Sequence, residues 1–371
     1  MISDNISKPY DSYVFKRTGK SVPNRALLAA MTNKQSHNNG ILSNSEIKWL
    51  SRRAKGGFGI ITTAAGNVSR DGQAWEGELG FFDDLHIDKL NTLTDSLHSY
   101  GSLVFAQLFH GGMRSPQSLT GVTPVSSSKV KCNVSDSGYT HPATEADIKR
   151  IIKDFTSAAS RCVESGFDGI EIHGAHGYLI SQFLGETSNV RIDKWGGDLN
   201  GRARFLIEIL RSIKKNVPDS FLVGVRISPE IIDMGIHLDD SIRLAGILRD
   251  EGIDFIHLSC WDVFSNSKCY PDNPKTLTEL FIESYNNLPS IISTGSIWSS
   301  KDAQSIIQQG ADLVGVARVG IAYPDWAKNL SNYHYNPPHP PYTSKHLREV
   351  GLSEVFIDYM RKWKGFVHDN E

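Results

Sequence analysis

The sequence contains few cysteines, and they lie far apart. Only four occur among 371 residues, and no two of them form a CxxC pair. This spacing excludes the usual zinc and iron–sulfur patterns, and it offers no disulfide framework. We therefore predict no metal site, and a reduced, cytoplasmic compartment is the simplest interpretation.

An excess of one charge and a long apolar run are also missing. The formal net charge is −2, which argues against a general attraction to nucleic acid or to an anionic membrane. No apolar run approaches the roughly 18 residues that span a bilayer. Residues 1–13 have neither the basic region nor the apolar region of a signal peptide. We expect a cytoplasmic protein whose partner is a small molecule.

Short apolar segments recur along the chain between helical patterns. Most are continuous apolar runs, which are typical of parallel strands covered on both faces. The eight predicted strands are Ala26–Met31, Gly59–Ala64, Leu103–Leu108, Gly169–His173, Leu222–Ile227, Phe255–Ser259, Ser290–Ser293 and Asp312–Ala317.

Apolar residues between the strands recur at helical spacing and predict helices that face a core. Eight such units without a linker-like break favour an α/β fold, a single (β/α)₈ TIM barrel over residues 1–371. We expect an N-terminal cap and a helical extension that includes an amphipathic segment, Leu347–Phe366. An open doubly wound sheet is the alternative, but the GxGxxG turn that it needs does not follow the first strand.

Three proton-carrying side chains follow the predicted fourth strand. His173, His176 and Tyr178 fall within six residues, separated by glycines that allow a ligand to approach closely. Two imidazoles could hydrogen-bond one substrate oxygen, and a phenol could donate a proton as a general acid. A zinc site that lacks its third ligand, or two core histidines and a packing tyrosine, are the alternatives.

Other predicted strand ends also carry polar groups. A buried Arg226 needs an anionic or strongly polar partner, although a structural ion pair would explain it equally well. Gly295, Ser296 and Arg318 follow the seventh and eighth strands, where barrels often bind phosphate. Gln107 ends the third strand. These positions indicate a site at the carboxyl ends of the strands.

Several motifs occur in the order found in the Old Yellow Enzyme family, which the chain resembles from about Tyr10 to Phe366. The most specific is EIHGAHGYLISQFLGETSNVRIDKWGG, which begins at Glu171. The others are NRALLAAMT from Asn24, VGVRISP around Arg226, STGSI near Gly295, and ADLVGVARVGIAYPDW.

The resemblance implies a non-covalent FMN across the mouth of the barrel. Gln107 would meet the pyrimidine edge of the flavin, Arg226 would lie near N1 and O2, and the seventh and eighth strand ends would hold the phosphate. The cofactor contacts implied are Ala30, Met31, Thr32, Ala65, Gln107, His173, Arg226, Gly295, Ser296, Ala317 and Arg318.

The resemblance also implies a ping-pong reaction. NADPH or NADH would reduce the flavin, and an α,β-unsaturated carbonyl compound would then accept the hydride. His173 and His176 would hold the substrate oxygen, Tyr178 would donate the proton, and Phe109 would complete the pocket. Three alternatives remain: an FMN barrel that oxidises an amine (N-demethylase-like), a flavin-free lyase or isomerase, and a non-catalytic FMN-binding protein.

Some positions depart from the pattern of the family. Met113 stands where arginine is common, and Phe109 stands where some members carry tryptophan and others a small residue. These differences leave the flavin site intact and the substrate range open. The choice between NADH and NADPH stays open too, as does a homo-oligomer, since members of the family form oligomers but no interface signature stands out.

Overall fold

Eight parallel strands close into a barrel in the computed structural model, which describes residues 7–368. Each strand is hydrogen-bonded to its neighbours in chain order, and the first strand pairs with both the eighth and the second. The strands, β1 to β8, are Ala26–Leu28, Ile60–Asn67, Leu103–Phe109, Gly169–Gly174, Leu222–Ile227, Phe255–Ser259, Ser290–Thr294 and Leu313–Val316. The predicted (β/α)₈ barrel is confirmed.

Two predicted strand ends are wrong by three residues, and the other differences amount to one residue each. Strand β1 ends at Leu28 instead of Met31, because the chain leaves the sheet after the Ala29 N–H donates to the Val316 carbonyl. Strand β2 continues to Asn67, beyond the predicted end at Ala64, and its pairing with β3 shifts register between Thr62 and Ala65.

Helices surround the barrel and begin at side-chain caps. The side-chain oxygens of Thr144, Thr276 and Ser299 each accept a hydrogen bond from the backbone N–H three residues on. In return, the backbone N–H of each of these residues donates to the carboxylate of that third residue. The main helices, α1 to α8, are Asn44–Lys55, Ile87–His98, Glu145–Glu164, Leu199–Lys214, Leu238–Asp250, Leu277–Ser284, Ser300–Gln308 and Arg318–Ala322.

The N-terminal segment closes the lower end of the barrel, as the predicted cap requires. An antiparallel pair, Tyr13–Val14 with Ser21–Val22, carries Tyr13 and Phe15 into a buried cluster with Phe105 and Phe255. The rings of Phe105 and Phe255 stack with centroids 5.2 Å apart. This apolar plug fills the barrel at the amino ends of its strands.

The C-terminal extension is helical, as predicted, but its helical structure is interrupted within Leu347–Phe366. Two short helices, Ser344–Glu349 and Glu354–Arg361, are separated by Gly351, whose φ of 96° ends the first. The buried Arg53 of α1 donates to the carbonyls of Gly320 and Val350 and so ties the extension to the barrel.

Three further elements lie in the loops above the barrel. The first is the short strand Leu79–Gly80, which pairs with β2, and the second is the one-turn helix Gln117–Thr120. The third is a pair of strands, Val125–Ser126 and His141–Pro142. No helix within residues 7–368 is long and apolar enough to cross a membrane. The first part of the segment considered as a signal peptide, residues 1–6, lies outside the described residues.

Candidate active site

The end of β4 places His173, His176 and Tyr178 together. His173 is the fifth residue of the strand, whereas His176 lies in the tight turn after it, with a φ of 61° that non-glycine residues rarely adopt. Gly177 follows with a φ of 74°, and Tyr178 then begins the helix Leu179–Leu184. The turn bends the chain back over the strand end, and such uncommon backbone geometry is concentrated at functional sites.

The three rings are in contact range. The centroid of the His173 ring lies 4.9 Å from that of His176 and 5.2 Å from that of Tyr178. The Nε2 atom of His176 lies 2.7 Å from the Ser259 hydroxyl oxygen at the end of β6, and this contact fixes the ring. Nδ1 of His173 is buried without a hydrogen-bond partner. The structure therefore brings the predicted trio together at one point.

Aromatic side chains form the adjoining wall. Phe109, the last residue of β3, lies 5.0 Å from the Tyr178 ring and 6.3 Å from the His173 ring. Trp75, from the loop after β2, stacks on Phe109 at 5.4 Å. The predicted pocket residue Phe109 thus lies beside the trio, and Trp75 extends the apolar surface.

The environment of the trio sets its protonation. Burial lowers the pKa of His173 well below its ordinary value, and the charges of His176 and Arg226 act in the same direction. Desolvation by the surrounding groups and the charge of Arg226 lower the pKa of His176 to about 3. Burial raises the pKa of Tyr178 to about 12. At neutral pH the site therefore presents two neutral imidazoles and one protonated phenol.

Arg226 lies next to His173 and lacks a partner for one nitrogen. The two residues are paired in the register of β4 and β5. The arginine side chain is buried, and its Nε has no hydrogen-bond partner. A buried donor of this kind is costly unless a ligand satisfies it, so the structural ion pair considered from sequence does not account for Nε.

A hydrogen-bonded chain crosses the barrel beneath these groups. The Gln107 amide nitrogen donates to Glu171 at 2.5 Å, Nδ1 of His257 lies 2.5 Å from the other Glu171 oxygen, and Nε2 of His257 lies 2.6 Å from the Thr294 hydroxyl. These partners come from four strands, so Glu171 points into the interior. Since its nitrogen is committed to Glu171, Gln107 keeps its amide oxygen for a partner at the mouth.

Glu171 is ionised in this layer. Burial opposes its charge, but His257, Arg226 and Gln107 outweigh burial and lower the pKa of Glu171. Burial lowers the pKa of His257, so this ring is neutral, donates to Glu171 and accepts from Thr294. The charge of Arg226 balances that of Glu171.

The other predicted cofactor residues lie on the same rim. Ala30, Met31 and Thr32 follow β1, and Ala65 pairs with Gln107 between β2 and β3. Strands β7 and β8 bring Gly295, Ser296, Ala317 and Arg318 to the side of the ring opposite β4.

The turn after β7 keeps its backbone close to a neighbouring strand end. Gly295 has a φ of 153°, and a Cβ at this position would lie 2.4 Å from the Cys260 carbonyl oxygen. Ser296 follows with a φ of 54°. Glycine is therefore required at the first position.

Three residues that sequence reasoning missed belong to this region. Trp75 and Arg114 come from loops after β2 and β3, and their positions depend on how those loops fold. His257 was visible in principle, because it is a polar residue in the middle of an otherwise apolar strand, FIHLS.

The chain matches a known family over most of its length. Residues 15–336 match the family described as NADH:flavin oxidoreductase / NADH oxidase family. The chain belongs to this family. The Bacillus subtilis (strain 168) protein "Probable NADH-dependent flavin oxidoreductase YqiG" is 34% identical over 324 residues, which are 85% of this chain and 86% of that protein.

Two further relatives show how far the similarity extends. The Vibrio harveyi "NADH:acrylate oxidoreductase" is 33% identical over 332 residues, or 87% of this chain, but the match covers only 33% of that protein. The solved structure of the Old Yellow Enzyme homologue from Zymomonas mobilis has a TM-score of 0.81 at 23% identity, covering 95% of this chain and 99% of that one. The predicted membership of the Old Yellow Enzyme family is confirmed.

This member of the family is an NAD(P)H-dependent flavin oxidoreductase, and its cofactor is FMN. The residues present fit that group. Nε of Arg226 and Nδ1 of His173 are buried without a hydrogen-bond partner. The amide nitrogen of Gln107 donates to Glu171, which leaves the amide oxygen of Gln107 as an acceptor. A polar, planar ring that both accepts and donates hydrogen bonds, such as the flavin ring, would supply the hydrogen-bond partners that these atoms lack.

Proposed function

We propose that this flavin oxidoreductase reduces the activated C=C bonds of α,β-unsaturated carbonyl compounds by a ping-pong reaction. The observation that carries the proposal is the convergence of two neutral imidazoles and one protonated phenol beside an aromatic wall. Neutral imidazoles suit an uncharged carbonyl oxygen that gains charge during the reaction, and the phenol supplies the proton. Residues 1–371 would act as one FMN-binding domain.

Each part of the rim has an assigned role toward FMN. When bound, FMN would supply the hydride-transfer chemistry between NADPH or NADH and the alkene. Arg226 would stabilise negative charge on the ring, and Gln107 would bind the pyrimidine edge. The residues around the ring would be Ala30, Met31, Thr32, Ala65 and His173, and those at the phosphate would be Gly295, Ser296, Ala317 and Arg318.

The substrate would lie between the trio and the aromatic wall. His173 and His176 would donate hydrogen bonds to the carbonyl oxygen and stabilise the developing enolate. Tyr178 would protonate the α-carbon, and Phe109 would pack against the alkene. The activity named for the Vibrio harveyi relative, oxidoreduction of acrylate, also concerns a C=C bond conjugated to a carbonyl group.

Anaerobic visible spectroscopy tests both half-reactions. We expect a yellow protein that bleaches with NADPH or NADH and recovers its flavin absorbance when cyclohexenone is added. Bleaching by an amine instead of a nicotinamide would favour the amine-oxidising alternative, and a flavin that neither reagent changes would favour a non-catalytic FMN-binding protein. A colourless protein that cannot be reconstituted with FMN would contradict the flavin site itself.

His173→Ala should weaken the binding of a phenolate ligand, which resembles the enolate. Hydrogen bonds to charged groups are worth about 1.5–3 kcal/mol, so we expect the dissociation constant to rise about tenfold to a hundredfold. Titration of the oxidised holoenzyme, followed by flavin absorbance, measures this change. His173→Asn keeps a hydrogen-bond donor and should lose less affinity for the phenolate. An unchanged affinity in His173→Ala would show that His173 does not bind the substrate oxygen.

A further inference from the structure

A cationic side chain lies at the edge of the proposed substrate pocket. Arg114 ends the short helical turn Gly112–Arg114 after β3. The central carbon of its guanidinium group lies 5.3 Å from the centroid of the Tyr178 ring. An added Cβ on Gly177 would lie 3.2 Å from one of its terminal nitrogens. The charge therefore lies directly beside the turn that carries the trio.

Arg114 is one of the arginines that form no salt bridge in the part of the chain that the structure describes. Within residues 7–368, no salt bridge joins it to an aspartate or glutamate, whereas Arg150, Arg191 and Arg202 each have one. The residue is exposed. Its charge lowers the pKa of Tyr178, against the larger effect of burial, and it adds last, after burial and other nearby charges, to the lowered pKa values of His173 and His176.

We infer that Arg114 binds an oxyanion of the substrate, so that the substrates are α,β-unsaturated carbonyl compounds that also carry a carboxylate. The inference rests on the proposed function. A guanidinium group matches the planar fork of a carboxylate, and the Tyr178 ring beneath it restricts its orientation. The substrate would place its activating carbonyl at His173 and His176 and its carboxylate at Arg114.

The aromatic wall makes this assignment selective. Phe109 and Trp75 offer no hydrogen-bond acceptor for a cation on the apolar side of the pocket. A neutral substrate would offer the guanidinium group no countercharge, whereas a carboxylate would form charge-assisted hydrogen bonds with it. A phosphate of NAD(P)H has the same chemistry and is the other source of an oxyanion.

A matched pair of substrates tests the inference. Trans-β-acetylacrylate and its methyl ester have the same ketone and alkene and differ in charge. We expect the ratio of kcat/KM for the acid to that for the ester to fall about tenfold or more in Arg114→Gln, as expected when a charge-assisted hydrogen bond is lost. Arg114→Lys keeps the positive charge but loses the planar guanidinium group, so its ratio should lie between those of the wild type and Arg114→Gln. Added salt should reduce the ratio in the wild type, because it screens the charge of Arg114.

Binding without turnover gives an independent readout. Levulinate and methyl levulinate, the reduced counterparts, can be titrated into the oxidised holoenzyme and followed by flavin absorbance. Arg114→Gln should weaken the binding of levulinate and leave that of its ester unchanged. Arg243→Gln, which alters an exposed arginine on the outer helix α5, is the matched control and should preserve both ratios.

The outcomes separate the inference from the proposed function. If the reduced flavin is reoxidised by both compounds and Arg114→Gln leaves the ratio of acid to ester unchanged, the carboxylate site is wrong. If the variant instead slows reduction by NADPH or NADH at limiting nucleotide, the oxyanion belongs to the nucleotide and the substrate assignment is also wrong. If neither compound reoxidises the wild type, the proposed function fails before Arg114 is tested.

Discussion

Tyr178→Phe should slow reoxidation of the reduced enzyme by an enone about 10²- to 10⁴-fold, the usual contribution of a positioned general acid. Reduction by NADPH or NADH should be unchanged, because that half-reaction needs no proton from the phenol. The substitution removes one oxygen and keeps the ring, so its contacts with Phe109 and His173 remain. Stopped-flow spectroscopy of each half-reaction measures the two effects separately.

The pH dependence gives a second check on the same group. Because burial raises the pKa of Tyr178 to about 12, the phenol keeps its proton throughout the neutral and mildly alkaline range. The rate of reoxidation by an enone should therefore not fall between about pH 6 and pH 10 through loss of the Tyr178 proton. A tyrosine with an ordinary pKa, near 10, would already lose its proton at the upper end of this range. A fall in the rate of reoxidation with a midpoint within this pH range, seen in the wild type and absent in Tyr178→Phe, would contradict the raised pKa.

Tyr100→Phe is the matched control for this prediction. Tyr100 lies in the turn before β3, at the opposite end of the barrel, and its side chain is 47% exposed. Both half-reactions should keep their wild-type rates in this variant. Equal rates of reoxidation in wild type and Tyr178→Phe would show that the proton comes from elsewhere, such as solvent.

The barrel was predictable because its strands are continuous apolar runs. In β5, for example, Leu222–Ile227 was predicted with both ends correct, since all six residues are buried and the apolar run begins and ends with the strand. The end of β1 was not predictable in this way. Ala29, Ala30 and Met31 are as apolar as the strand, yet they turn over the mouth, and hydrophobicity alone does not mark where a ladder ends.

The site was predictable only where its residues follow strands closely. His173, His176 and Tyr178 lie within a single turn, so their proximity follows from the sequence once the strand is known. Arg114 and Trp75 belong to separate loops, and their distance to Tyr178 depends on tertiary packing that no local pattern encodes. The sequence interpretation counted the motif at Glu171 as a family signature but did not see its partner His257, which lies 86 residues away.

Glu171→Leu should lower the free energy of unfolding by about 3–5 kcal/mol, the usual effect of breaking a buried charge pair by removing one partner. The substitution would leave the Gln107 amide and Nδ1 of His257 without an acceptor, and the buried Arg226 without a countercharge. Equilibrium urea denaturation of the holoenzyme and of the protein freed of flavin would measure the loss. Both forms should lose stability, because the network lies within the barrel and does not require the cofactor.

Glu171→Gln keeps the shape of the side chain and removes only its charge, so it separates electrostatics from packing. The pKa of Glu171 is lowered in the folded protein, so its contribution is present above the unfolded pKa of about 4.3 and is lost as the pH falls through the folded value. The gap in stability between wild type and Glu171→Gln should therefore be widest at neutral pH and should narrow in acid. Glu283→Gln, which breaks an exposed pair with Lys275, should cost no more than about 1 kcal/mol.

The same variants report on the cofactor through Gln107. Glu171→Leu removes the acceptor of the Gln107 amide nitrogen, so that the amide of Gln107 is free to turn and its oxygen is no longer held in one position. We therefore expect Glu171→Leu to bind FMN more weakly than the wild type under conditions in which both are folded. A variant of wild-type stability and wild-type FMN affinity would show that neither the charge of Glu171 nor its hold on Gln107 matters to the barrel.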